Sequence, residues 1–118
     1  MSKILCIDFD GTIVDHQYPA IGEIRPFAKE AINRLHDEGW YIIIWTCRCG
    51  DTLMDARKWL LDNKIWFDKL NENAPVEMIG FIPSPKVYGD IYIDDRNLEG
   101  VPEWPMIYSM ITGNKLLI

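Results

Sequence analysis

The sequence predicts a single α/β domain built on a mostly parallel central sheet, and three observations carry that prediction. Short apolar runs of strand length alternate with amphipathic segments of helical period. Polar residues stand at the carboxyl ends of several of those runs. The chain has 118 residues, 48% hydrophobic and 25% charged, which fits one domain (1–118) with enough apolar mass for one core.

Each element follows from its local pattern. Ile4 to Ile7 is a continuous apolar run, as in a strand covered on both faces, and it ends at Asp8. "RPFAKEAINRLHDEG" places Phe27, Ala28, Ala31, Ile32 and Leu35 at helical spacing, with Pro26 near the start and Gly39 past the end. "WYIIIWT" is β-branched and aromatic and reads as a second buried strand closing at Thr46. "GDTLMDARKWLLDNK" carries the stripe Leu53, Ala56 and Leu60, with Asp51 or Thr52 as its N-cap, and predicts a second helix. "IWF" at 65–67, "MIGFI" at 78–82, "DIYID" at 90–94 and "MIYSM" at 106–110 are further strand candidates. The five tryptophans are expected mainly in the core.

Composition excludes several classes. A net charge of −6 argues against a general nucleic-acid or anionic-membrane surface, so an anionic substrate must be held by local cations. No run approaches the ~20 apolar residues of a membrane span, and the first residues meet a charge too early for a secretory signal, so a cytoplasmic location and no membrane partner are expected. Cys6, Cys47 and Cys49 have the spacing of neither a disulfide framework nor a zinc clip.

Asp8 ends "ILCI", Thr46 ends "YIIIW", and Asp94 with Asp95 ends "IYI". In a parallel α/β sheet these ends share one edge, where ligands bind. Asp10, at i+2 from Asp8, points to the same side if the strand persists, while Phe9 points away and Gly11 permits a sharp exit. Carboxylates gathered at ~4 Å repel by about 4 kcal/mol per pair at an effective dielectric of 20, so a cation is expected among them. Oxygen-only ligands suit magnesium, and a lysine such as Lys86 would complete a phosphoryl-transfer site. Asp90 lies four residues before Asp94, ~13 Å along a strand, and so belongs to the strand start rather than to the site.

The ordered set Asp8-Phe9-Asp10-Gly11-Thr12, Thr46, Lys86 and Asp94-Asp95 resembles the four motifs of the haloacid dehalogenase (HAD) superfamily across residues 4–97. The resemblance implies a Rossmann-like three-layer sandwich and a magnesium-dependent phosphomonoesterase that forms an aspartyl phosphate. It assigns Asp8 as nucleophile, Asp10 as general acid and base, Thr46 as a donor to phosphoryl oxygens, and Lys86 as the neutralising cation. Magnesium would be held by Asp8, the Asp10 carbonyl, Asp94 and Asp95, and Gly11 and Thr12 would border the substrate. Lys86 precedes Asp94 by only eight residues, where many members of the superfamily place a helix; Lys69 is the substitute.

Only 12 residues separate Thr12 from Arg25 and 39 separate Thr46 from Lys86, which leaves no room for a cap domain. The open site then suits a bulky substrate or closure by a second copy of the chain, and a homo-oligomer is a corresponding expectation. Arg48 is expected to contact a substrate anion, with pairing to a site acid as the alternative. Arg96 is expected to be structural, Cys47 to pack beside the site, and His16, Gln17 and Tyr18 to overhang it. Asn71 and Asn73 either bond substrate or form turns. The substrate class is a phosphorylated small molecule, such as a sugar phosphate. The rival readings are a phosphatase acting on nucleotide or nucleic-acid ends, and a non-catalytic or receiver-like module; a receiver, however, needs a lysine beyond its last acidic motif.

Overall fold

The computed structural model describes residues 3–80, 87–98 and 100–117. Lys86 and the segment "FI" at 81–82 therefore lie outside the described residues. The elements run β1 (Lys3–Ile7), α1 (Ala28–Asp37), β2 (Trp40–Ile44), α2 (Gly50–Asp62), β3 (Lys69–Leu70), α3 (Val76–Ile79), β4 (Ile91–Ile93) and α4 (Trp104–Thr112). The four strands form one all-parallel sheet in the order β3-β2-β1-β4, an α/β fold as the alternation predicts.

Period-two geometry divides the apolar strand residues between two faces. Leu5, Ile7, Ile42, Ile44 and Ile93 join Ala31, Ile32 and Leu35 of α1, Ala56 and Leu60 of α2, and Trp104, Ile107 and Tyr108 of α4 in the main core. On the other face Ile4, Cys6 and Ile43 meet Ala74 and Val87, with Met78 and Ile79 packed against them. The two faces of the sheet are covered unevenly: three long helices send their apolar stripes to one face, and among the described residues only short α3 and its flanks cover the other.

Several sequence expectations are corrected. "MIYSM" belongs to α4, not to a strand, because Trp104, Ile107, Tyr108 and Ile111 recur at helical spacing toward the core, with Pro105 in the first turn and Gly113 at the C-cap. "IWF" precedes β3 rather than forming it; Ile65 is buried after α2, and Asp68 opens the strand by accepting the Ile42 N–H at 2.8 Å. Met78 and Ile79 close α3, which Gly80 ends at a positive φ of 82°. The N-cap of α2 is Cys49, and Thr52 lies in the first turn, where its hydroxyl donates to the Cys49 carbonyl. Trp104 is buried, but Trp45 and Trp66 are exposed, the latter stacked on His36. Among the described residues no helix is long and apolar enough to cross a membrane.

The register places the site. Ile7 pairs with Ile44 on one side and Ile93 on the other, so the residues that follow leave the sheet at a common edge. At the opposite edge Asp90 clamps the ladder: its Oδ2 accepts the Ile4 N–H at 2.7 Å, and its own N–H donates to the Ile4 carbonyl at 2.8 Å. Asp90→Ala is expected to cost about 1 kcal/mol through the lost acceptor for an edge N–H, measured as a lower denaturant midpoint with an unchanged m-value.

Candidate active site

The ladder continues one residue past β1 on each side. The Asp8 N–H donates to the Ile93 carbonyl at 2.9 Å, and the Trp45 N–H donates to Ile7 at 2.9 Å, which holds Asp8 beside the ends of β4 and β2. The chain then turns tightly, with the Phe9 carbonyl accepting from Thr12, Ile13 and Val14. Phe9 drops into the core edge-to-face against Trp59, while Asp10 stays at the surface side of the turn. Carboxylate oxygens of Asp8, Asp94 and Asp95 lie within 4.8 Å of one another. Gly11 makes this possible: its φ is +81°, and a Cβ there would stand 2.3 Å from the Asp95 carboxylate.

The described residues supply no counter-charge to the cluster. Burial pushes the Asp8 carboxyl up from 3.8 to about 7; the Phe9 N–H opposes this, while the Asp94 charge and the hydrogen bond and charge of Asp95 add to it. Among the described residues no Lys, Arg or His forms an ion pair with Asp8, Asp94 or Asp95. Among the described residues the donor set is three carboxylates with no nitrogen or sulfur, which fits a hard divalent cation such as magnesium.

Asp10 differs from the other three acids. Its Oδ2 accepts from Arg48 Nε at 2.7 Å and its Oδ1 from Arg48 Nη2 at 2.8 Å, a bidentate pair with Arg48 only 2% exposed. The alternative expected for Arg48, pairing with a site acid, is thus the one observed. Its remaining donors reach the Ala20 carbonyl (Nη2, 2.9 Å) and the carbonyls of Pro19 and Thr52 (Nη1, 3.2 Å each), so none is left for a substrate anion.

Thr46 is buried at the cleft wall. Its Oγ1 accepts the Arg48 N–H at 3.1 Å, which leaves its own O–H available as a donor. Asn71, at a left-handed φ of 56°, fixes this loop by accepting the Thr46 N–H at 2.8 Å and donating to the Arg48 carbonyl at 3.3 Å. Asn73 likewise accepts the Tyr88 N–H, so both asparagines hold loops.

A cleft of about 270 Å³ opens over these groups, lined by Asp8, Asp10, His16, Tyr18, Thr46, Cys47, Arg48, Asp95 and Arg96. His16 and Tyr18 border it as expected, and Gln17 does not. Thr12 is fully buried and Gly11 lies under Asp95, and neither is in the cleft lining; Thr12 offers its carbonyl to Trp104 Nε1 at 2.9 Å. Lys69 stands 3.6 Å from Glu72 and does not line the cleft. Arg96 was expected to be structural, but its exposed side chain lines the cleft and has no partner among the described residues. A side chain next in sequence to a motif acid was the available signal.

Asp8 also sets a pH dependence. Its folded value of about 7 exceeds the ordinary 3.8, so the fold holds a proton that the unfolded chain has released, and stability is lost as pH rises through that window. The metal-free Asp8→Asn variant should therefore be more stable than the parent near pH 8, by about 1–2 kcal/mol once solvent screening of this partly exposed group is allowed for. Chemical denaturation in a chelator should show that difference shrinking toward pH 4.

No protein-family model matches the chain, and no curated protein does. Among solved structures it is similar to the conserved protein coded by locus from Bacteroides thetaiotaomicron, with 42% identity and a TM-score of 0.86 over 98% of this chain and 93% of that one. Identity and coverage of that order leave no doubt of common descent: the chain belongs to the same family as this conserved Bacteroides thetaiotaomicron protein.

Proposed function

We propose that the chain is a magnesium-dependent phosphomonoesterase of the HAD type, without a cap domain, that works through an aspartyl phosphate on Asp8. The observation that carries this reading is the convergence of Asp8, Asp94 and Asp95 with no protein cation paired to them among the described residues. Asp8, Asp94 and Asp95 would hold the metal, which supplies positive charge to shield the nucleophile and the phosphoryl oxygens from one another.

In this reading an Asp8 carboxylate oxygen forms a bond to phosphorus as the bond to the leaving oxygen breaks, and Asp10 gives that oxygen a proton. Asp10 then takes a proton from the water that attacks phosphorus, the bond from phosphorus to Asp8 breaks, and inorganic phosphate leaves. Arg48 occupies one lone pair on each Asp10 oxygen, and a second lone pair remains through which the same proton is given as acid and taken as base. The Thr46 hydroxyl donates to a phosphoryl oxygen, and Arg96 supplies a guanidinium at the rim of the cleft. Lys86 completes the set by its place in the motif order.

The absence of a cap is supported by residues 13–24, whose ends are tied by the Arg25 N–H to the Ile13 carbonyl and the Asp15 N–H to the Glu23 carbonyl, each at 2.8 Å. The open cleft of about 270 Å³ has room for a phosphoryl group and a small phosphometabolite such as a sugar phosphate.

Hydrolysis of an aryl phosphate with magnesium, followed by a panel of phosphorylated metabolites, tests the reading. Asp8→Asn should lower kcat by at least about 10³-fold while the fold is retained, and EDTA should abolish turnover that magnesium restores. Hydrolysis that survives either change contradicts it. Arg96→Ala should raise KM about tenfold with kcat within about threefold, because it removes a contact made equally before and during the reaction.

A further inference from the structure

The buried Arg48 carries more contacts than an ion pair needs. Its five N–H donors reach three separate segments: the Asp10 carboxylate on the first turn, the Pro19 and Ala20 carbonyls on the loop over the cleft, and the Thr52 carbonyl in the first turn of α2. Its guanidinium carbon lies 5.4 Å from the centre of the Phe9 ring and 5.1 Å from that of Tyr18. One ring is in the core, and the other is 51% exposed at the cleft mouth.

The loop itself is thinly tied. Its base is closed by the Asp15 N–H to the Glu23 carbonyl at 2.8 Å and by Gly22, where a Cβ would stand 2.1 Å from the Asp15 carbonyl. Between those points, among the described residues, the hydrogen bonds from 16–21 to the rest of the chain are the two to Arg48. Ile21 adds an apolar contact with the core.

We infer that Arg48 is a positioning residue that latches loop 16–21 over the cleft and orients Asp10 in the same act, so that loop placement and the proton-transfer group are set together. The planar guanidinium is what permits this, because a lysine ammonium has three donors at one point and cannot grip both Asp10 oxygens while reaching two loop carbonyls. The link to catalysis rests on the function proposed above; the latch does not.

Backbone NMR order parameters and steady-state kinetics on Arg48→Lys, Arg48→Ala and Asp10→Asn separate the two. In both Arg48 variants the order parameters of loop 16–21 should fall from about 0.85 to below about 0.6 while those of β1 and α1 stay rigid. Asp10→Asn, on the other side of the pair, should loosen the same loop and serves if an Arg48 variant does not fold. On an aryl phosphate, Arg48→Lys should lose about 10²-fold in kcat with KM within about threefold, and added guanidinium should restore part of both activity and loop order to Arg48→Ala. Unchanged order parameters in 16–21 in the variants that fold overturn the latch. A rise in KM at constant kcat overturns the positioning role in favour of substrate contact. If the parent hydrolyses no phosphate ester, the proposed function fails while the order parameters still decide the latch.

Discussion

Everything at the carboxyl edge of this sheet follows from the meeting of three like charges. The register that pairs Ile7 with Ile93 leaves Asp8 and Asp94 side by side, and the turn after Asp94 swings Asp95 in over Gly11. Burial raises the cost of ionising Asp8, and the neighbouring charges of Asp94 and Asp95 add to it. Among the described residues no lysine or arginine relieves that crowding, whereas Arg48 does so for Asp10.

That contrast between neighbours is informative. Asp8 and Asp10 are two residues apart, yet among the described residues one has no cation paired to it and the other is held by a buried guanidinium with its donors filled. Holding an arginine in the interior costs several kcal/mol unless its donors are satisfied, and here backbone carbonyls from two further segments complete the set. The same side chain therefore settles the Asp10 carboxylate, the first turn of α2 and the loop at the cleft mouth. Stability and site geometry are joined at Arg48, and among the described residues the remaining three acids have no cation of their own.

The convergence of Asp8, Asp94 and Asp95 was legible because parallel strands end on one edge, so chain position at the end of an apolar run translates directly into spatial proximity. Phe9 turning into the core followed from the same alternation. The division of labour between the arginines was not legible. Arg48 and Arg96 each follow a motif residue by one or two positions, and only the path of the 16–21 loop decides which finds acceptors. Asn71 was hidden for a similar reason, since its role depends on a left-handed backbone and a neighbour 25 residues away. The "MIYSM" error has a simpler cause: five apolar-rich residues fit either period, and the helix emerges only when Trp104, Pro105 and Ile111 are read with them.

The central claim is that Asp8 is a nucleophile toward phosphorus that needs a divalent cation beside it, and beryllofluoride, a phosphoryl mimic that bonds to aspartate, tests both halves at once. Fluorine NMR of the protein with magnesium and beryllofluoride should show protein-bound resonances that vanish when magnesium is removed and are absent from Asp8→Asn. Bound resonances that persist in Asp8→Asn, or none in the parent with magnesium present, would contradict the account.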